Sequence, residues 1–331
     1  MATLTHAPHT EHTSTRTATF WWFAGGGVLV LVLAIWSTLT GNAHMSISDV
    51  LTGKADVDQL QILFVSRIPR TLAIILSGSS MAVAGLVMQM LVQNRYVEPS
   101  TTGVTESAGV GILLITVFAP EAPLVAKMVF AIIFALAGTL LLLFLLRSIR
   151  HRDIIIVPLL GIVLSGIIGA AALLLAWEFT LQGTLESWRI GDFSGVLRGR
   201  YELLWIVAIA ALLAYLYADM FTVAGLGENI SRSLGLDHRR VTMIGLVIVA
   251  IVAGVTTVVS GMLPFLGLVV PNLVSLLVGD YMRRSLPLVA AGGAAFVLVS
   301  DIIGRSLIAP AEIPVGVVMG IIGAAIFLTF L

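Results

Sequence analysis

The stretch RIPRTLAIILSGSSMAVAGLVMQMLVQNRYVEPSTTG, residues 67–103, sets two arginines, an apolar run of membrane length and a polar, helix-breaking exit one after another. That order reads as a membrane span with chemistry at both ends. An arginine at the centre of a bilayer costs roughly 3 kcal/mol on insertion scales, which predicts that Arg67 and Arg70 sit at the mouth of the span.

The rest of the chain extends the pattern. It is 331 residues long, 58% hydrophobic and only 11% charged, and its apolar residues gather into runs instead of alternating with polar ones. This is the composition of an all-α, polytopic membrane protein, because helices satisfy their own backbone groups inside lipid. A hydrocarbon core about 30 Å thick takes roughly 20 apolar residues in helical form. Spans are predicted near 20–39, 67–91, 104–119, 124–146, 154–177, 201–218, 241–260, 262–279, 286–306 and 313–331. The division inside Val241–Gly279 falls at Ser260-Gly261-Met262-Leu263-Pro264, where Gly and Pro make a tight turn.

Ten spans put both termini on one side. With the N-terminus inside, ten Lys and Arg residues of the 18 fall on inner connections and eight on outer ones. Setting aside Arg67, Arg70 and Arg305 at span ends sharpens this to ten against five and favours cytoplasmic termini. Residues 1–19 form a polar tail with His6, His9 and His12, and residues 20–331 form a single membrane domain with no soluble domain between spans. The largest inner polar island, residues 218–240, contains GLGENISRSLGLDHRR and is expected to form one or two short helices. Leu226, Ile230, Leu234 and Leu236 give it an apolar set suited either to a partner or to an ordinary amphipathic connector.

Several classes of chemistry are excluded. The formal net charge is zero, so nothing global suggests nucleic acid, and with no cysteine there are no disulfides or thiolate metal sites. The sequence lacks a phosphate-binding G-x-x-x-x-G-K-[ST] loop, since Gly53-Lys54 is followed by Ala55, and lacks H-E-x-x-H and G-x-S-x-G motifs. No catalytic residues, metal ligands or cofactor are assigned.

Arg67-Ile68-Pro69-Arg70-Thr71-Leu72, Gly85 with Gln89, Asn94, Glu98-Pro99 and Gly103-Val104 are joined by further blocks in order: Gly227-Glu228 with Leu234-Gly235; Gly261, Phe265, Gly267-Leu268 and Val270-Pro271; Asp280, Arg283-Arg284 and Pro287; Asp301 with Arg305; Glu312-Ile313-Pro314-Val315-Gly316 and Gly323. Over this range the chain resembles the permease subunits of iron-chelate and cobalamin ABC importers, the type II importer fold. The resemblance implies a dimer of permeases, identical or paralogous, in the cytoplasmic membrane. It also implies two separate ATPase subunits carrying ATP and Mg, and an extracytoplasmic binding protein. The chain would then be a non-enzymatic transport subunit.

The resemblance further implies roles for particular residues. Residues 218–240 would be the coupling segment docked on the ATPase, with Gly227, Glu228, Leu234 and Gly235 at matched positions. Arg67, Arg70 and Arg305 would meet acidic residues of the binding protein, although Asp301 lies one turn before Arg305 and could instead form an i,i+4 pair with it. Small residues at four-residue spacing let helices approach closely in lipid. Gly161, Ser165 and Gly169 form one such face and Gly316, Gly320 and Ala324 another, on the two spans that meet at the family's dimer interface.

Departures from the family pattern are visible. Asn94-Arg95-Tyr96 stands where Asn-Pro-Leu is usual, which makes Asn94 and Tyr96 gate candidates but leaves the turn without its proline. Glu106 stands where a small or amide residue is common, as either a pathway group or a carboxylate favoured by the dipole of a helix that Ser100, Thr101 and Thr102 cap. Asn272, Ser275 and Ala325 are further departures. The Val97–Gly103 form looks more like iron-siderophore permeases than cobalamin permeases, with haem or cobalamin as alternatives. An ion-coupled secondary transporter is the reading from another class, but the spans carry no cluster of acids with a basic partner suited to a proton relay.

Overall fold

The computed structural model describes residues 11–40, 57–148, 155–308 and 310–330. The tail histidines His6 and His9 and the Gly53-Lys54 pair lie outside the described residues, as does the side chain of His12. Among the described residues every regular element is helical. They are α1 (Glu11–Leu39), α2 (Val57–Ile62), α3 (Ile68–Val92), α4 (Val104–Phe118), α5 (Leu124–Ser148), α6 (Ile156–Glu178), α7 (Gln182–Arg189), α8 (Trp205–Leu216), α9 (Ala218–Ala224), α10 (Glu228–Ser233), α11 (His238–Ser260), α12 (Leu266–Val278), α13 (Met282–Ser306) and α14 (Val315–Phe330).

Six continuous helical stretches are long and apolar enough to cross a membrane: α1, α2 with α3, α5, α6, α11 and α13. The pair α8 and α9, bent by 64°, makes a seventh, and α4, α12 and α14 are shorter apolar helices. These ten segments match the predicted spans. Two of the short ones, α4 and α12, are preceded by irregular backbone, which hydrocarbon would not tolerate, but protein covers it: Pro99, Ser100 and Thr102 before α4 and Leu263 before α12 are buried.

The second span begins earlier than its sequence implied. Val57–Val92 runs as one 36-residue stretch, so Arg67 lies ten residues inside it and not at its end. Five residues, Leu63–Arg67, take π-helical form, and Arg67 closes that segment. The extra residue in such a turn shifts every later side chain around the helix axis, which re-aims Arg67 and Arg70 relative to α2. Pro69 inside this stretch has no N–H to give to the Val65 carbonyl, which accepts instead from the Arg198 N–H at 3.0 Å.

α3 is the central pillar. Four-fifths of its most apolar window is buried, against about a tenth for α1, and it touches α1, α8, α11, α12 and α13. Two glycine pairs set these crossings. A Cβ on Gly85 would lie 2.2 Å from Gly267 Cα of α12, and one on Gly293 of α13 would lie 2.4 Å from the Gly78 carbonyl oxygen. In lipid such close backbone approach supplies the packing that the hydrophobic effect cannot. α4, α5 and α6 pack as a second group alongside, joined to the pillar through α11. The predicted break between α11 and α12 is present: Gly261 has φ +78° and Phe265 φ +61°, and α12 starts four residues later than expected. α7 was not anticipated; Leu181, Leu185 and Trp188, one helical face, turn it onto α4 and α6.

Candidate functional site

The three arginines singled out by sequence come together, and their charges are met within the chain. Arg70 donates through Nε and Nη2 to Asp301 Oδ1, at 3.1 and 2.7 Å, and through Nη1 to Glu312 Oε2 at 2.8 Å. Arg305 pairs with Asp301 Oδ2, so the i,i+4 pair is formed. It also donates to the Thr40 carbonyl and to Ser37 Oγ, both at 2.7 Å. Arg67 Nη1 reaches the carbonyls of Thr38 and Leu39 at 3.3 and 3.2 Å. Two guanidinium groups thus satisfy the open carbonyls at the C-terminus of α1, where cations are favoured. Asp301 is fully buried and Arg67 and Arg305 are 7% exposed, whereas Glu312 keeps about a third of its surface. This knot ties α1, α3, α13 and the approach to α14.

At the other end of α3 the missing proline is replaced by side-chain bonds. Asn94 Oδ1 accepts from the Tyr96 N–H at 2.9 Å, and Asn272 Nδ2 donates to the Arg95 carbonyl at 3.0 Å. Arg95 pairs with Asp280, which Ser275 also contacts. Three departures from the family pattern, Arg95, Asn272 and Ser275, therefore belong to one interacting group. The Tyr96 ring lies edge-on to Phe327 with centroids 6.2 Å apart, and Phe327 is 6.4 Å from Phe265. Tyr96 is thereby set against Phe327 of α14, with Asn94 holding its backbone.

Glu106 is not with them. Its carboxylate accepts from Thr105 Oγ1 at 3.1 Å, bonds Ser165 of α6 and faces Arg189 of α7. The capping expectation for its helix is corrected: no side chain caps α4, whose preceding residue Gly103 is left-handed. Ser100 and Thr102 instead bond Glu98, through its carboxylate and its carbonyl respectively. Glu98 has a role that its place in the sequence does not show. Buried to 1% exposure, its Oε1 accepts from the Phe265 N–H at 2.9 Å, and the Gly267 and Leu268 N–H groups also serve it. It caps α12 from another segment, and Gln89 holds the Gly267 carbonyl at 3.0 Å beside it. The signal was the isolated carboxylate in the polar exit of the opening stretch.

One of the two small-residue faces needs correction. A Cβ on Gly161 would meet Thr101 O and Thr102 at 3.0 Å, and Gly169 looks toward Glu106 and Arg189, so the Gly161–Ser165–Gly169 face is used within the chain. Its open face carries bulkier residues, Leu159, Ile162, Ile167 and Leu174. Gly316 packs on Gly191, while Gly320 faces open space and Ala324 is half-buried.

Residues 218–240 form two short helices, α9, which is also the bent end of the segment that starts with α8, and α10. Gly227, at φ +104°, and Gly235, at φ +81°, bracket α10 with backbone that other residues rarely adopt. Glu228 and Arg232 pair along it at 2.6 Å, and Ser231 bonds His238 Nδ1 at 2.9 Å. Leu226, Ile230 and Leu234 are 50–65% exposed. Beside it, the Tyr281 hydroxyl donates to Asp219 Oδ1 at 2.8 Å, which pushes the phenol above its ordinary pKa, since donating to a carboxylate favours the neutral form. Among the described residues no three His, Asp or Glu side chains are placed to hold a metal ion.

A polytopic helical bundle with one knotted end and one protruding apolar end agrees with the family comparison, in which residues 29–331 match the model of the FecCD transport family. The chain belongs to the FecCD transport family. The petrobactin import system permease protein YclN of Bacillus subtilis is 42% identical over 305 residues, covering 92% of this chain and 96% of that protein. The ferric-anguibactin transport system permease protein FatD of Vibrio anguillarum is 38% identical over 269 residues, 81% of this chain and 86% of that one. In structure, the chain superposes with a TM-score of 0.78 on an inward-facing ABC transporter described as of the metal-chelate type, at 23% identity over 94% of this chain and 98% of that one. The FecCD chain is accordingly a multi-pass membrane permease.

Proposed function

We propose that this FecCD permease carries an iron-siderophore complex across the cytoplasmic membrane as one of two permease subunits of an ABC importer. The observation that carries the reading is the near full-length similarity to permeases named for petrobactin and ferric-anguibactin transport. In this reading two ATPase subunits, holding ATP and Mg, dock on the exposed face of α10, so both chain termini are cytoplasmic. Gly227 and Gly235 fix the angle at which α10 projects, and Leu226, Ile230 and Leu234 enter the ATPase cleft. The knot around Asp301 then faces outward, and a binding protein delivers the chelate there. Arg70 is the arginine best placed to meet an acid of the binding protein, because its second partner, Glu312, lies at the surface. Arg67 and Arg305 act through the position of α1. Asn94 and Tyr96, with Phe265 and Phe327, narrow the inner end of the passage, and access alternates as the ATPases close and reopen.

The test is uptake into proteoliposomes holding the permease pair and its ATPase, with loaded binding protein inside or outside. Ferric siderophore accumulation that needs ATP supports the reading. Uptake of haem or cobalamin instead moves the substrate within the family, and uptake driven by an ion gradient without ATP overturns the importer assignment.

A further inference from the structure

The C-terminal half of α5, the first turns of α11 and one side of α10 enclose a cleft of about 750 Å³. That is inside the ~300–1,000 Å³ range of small-molecule sites. Its lining is ordered by depth. Leu140, Leu143 and Phe144 on α5 face Met243 and Leu246 on α11, while Arg147, Arg232 and Arg239 stand at the mouth. On each long helix seven residues separate the arginine from the deepest leucine, Leu140 to Arg147 and Arg239 to Leu246, a rise of about 10 Å. The apolar wall thus lies in stretches apolar enough to be covered by hydrocarbon, and the cations lie at the interface.

Two further observations select the occupant. Phe144 is 67% exposed, so the wall opens sideways from the bundle, where acyl chains and not water would meet it. The mouth is short of negative charge: Arg232 pairs with Glu228, but among the described residues Arg147 and Arg239 have no carboxylate partner. α10 turns Glu228 and Arg232 into the cleft, while Ile230 and Leu234 are not part of its lining. The cleft is therefore separate from the face on which the ATPase is proposed to dock.

The geometry points to an anionic phospholipid site, with the phosphate held between Arg147 and Arg239 and an acyl chain along Leu140, Leu143, Phe144 and Leu246. A lipid there braces α10 against the bundle through Arg232, and this consequence alone rests on the coupling reading. Basic pockets at the mouths of apolar clefts recognise anionic headgroups, each cation contributing about a tenfold or smaller gain.

The test is native mass spectrometry of the permease assembled with its ATPase, extracted from bilayers of equal phosphatidylglycerol and phosphatidylcholine. Wild type is expected to retain phosphatidylglycerol in preference. The double variant Arg147→Gln/Arg239→Gln changes exposed side chains only and should weaken that retention by roughly thirty-fold, from two interfacial cations. Met243→Trp, which fills the apolar half and leaves the charges in place, should reduce it as well. Equal retention of both lipids, indifference to both variants, or retention by the permease alone that vanishes once the ATPase is bound would overturn the proposal, the last by making the cleft part of the protein interface. The readout is independent of transport, so failure of the importer reading would leave this measurement standing.

Discussion

The Asp301 knot and the α10 projection are two places where the FecCD chain gathers charged side chains, and they are built in opposite ways. At the knot, three arginines and two acids turn toward one another and toward the end of α1, and Asp301 has no exposed surface. At α10 the apolar side chains turn outward, Leu234 keeping 65% of its surface, and the ion pair Glu228–Arg232 is bathed by solvent. The first arrangement spends its charge on holding four segments in register; the second leaves its hydrophobic surface unspent. A partner can bind α10 without breaking anything, whereas a partner at the knot must compete with bonds already made.

The sharpest way to break this contrast is at Asp301. Asp301→Ala leaves Arg70 and Arg305 without their shared buried carboxylate, and removal of one member of a buried ionic group costs about 3–5 kcal/mol. A large fall in detergent melting temperature is expected, with loss of the monodisperse permease. An unchanged melting temperature would mean that water, not Asp301, neutralises the arginines.

At α10 the same kind of change should leave the fold alone. Leu234→Asp puts a charge where an apolar side chain already faces solvent, so stability should move by less than about 0.5 kcal/mol. An anchor buried in a partner's cleft is worth about 2 kcal/mol or more on truncation, and a charge there costs further. Co-purification of the ATPase should therefore fall by at least roughly thirty-fold and ATP-driven uptake should stop. Glu228→Arg, which sets two like charges one turn apart on the side of α10 that faces away from Ile230 and Leu234, should lower co-purification only about two-fold. Wild-type co-purification in both variants would remove α10 from the ATPase interface.

Arg67→Ala separates the two roles that an arginine at the knot can have. Its bonds run to the Thr38 and Leu39 carbonyls, at a helix end that water can partly rehydrate, so a loss of about 1.5 kcal/mol is expected, the low end for bonds to a charged group. Faster hydrogen exchange should appear in residues 36–40 and not in α13. Intact protection of α1 together with slower capture of the binding protein would instead give Arg67 a direct docking role.

The ten segments were legible because lipid forces backbone satisfaction within helices and so makes apolar run length decisive. What the runs could not show was where protein replaces lipid around the backbone. The apolar run reads as a span that begins at Arg67, yet helix continues back to Val57, because the charge at the apparent edge of the run is buried against the Thr38 and Leu39 carbonyls at the end of α1. The same blindness affected Gly161 and Gly169: four-residue spacing marks a close approach but not the partner, which within this chain is the Thr101–Thr102 turn for Gly161 and the Glu106 and Arg189 side chains for Gly169. Glu98 was visible as an acid and invisible as a cap, since the helix it serves begins 168 residues later at Leu266. The α10 island was readable as a short exposed helix, because an apolar set flanked by two glycines needs no distant residue to place it at the surface.

The smallest effect, and the one that sharpens the comparison most, is expected at Glu312. Arg70 is fixed on its inner side by Nε and Nη2 bonding Asp301, but its remaining nitrogen faces Glu312, which keeps 32% of its surface. If an acid of the binding protein approaches Arg70, it must share or replace that carboxylate, so the chain carries its own competitor beside Arg70. Glu312→Gln keeps the side-chain shape and a weaker hydrogen bond while removing the charge. The pair is partly exposed, so stability should fall by less than about 1 kcal/mol. Association of loaded binding protein should become a few-fold faster at low ionic strength, because charge complementarity acts first on the encounter rate. The difference should fade as salt rises and the screening length falls to about 10 Å at 0.1 M and below. Association measured on the reconstituted importer across that salt range decides the point: a slower or unaltered rate in Glu312→Gln would mean that Arg70 is wholly an internal brace, and that the binding protein finds its acid-recognising surface elsewhere.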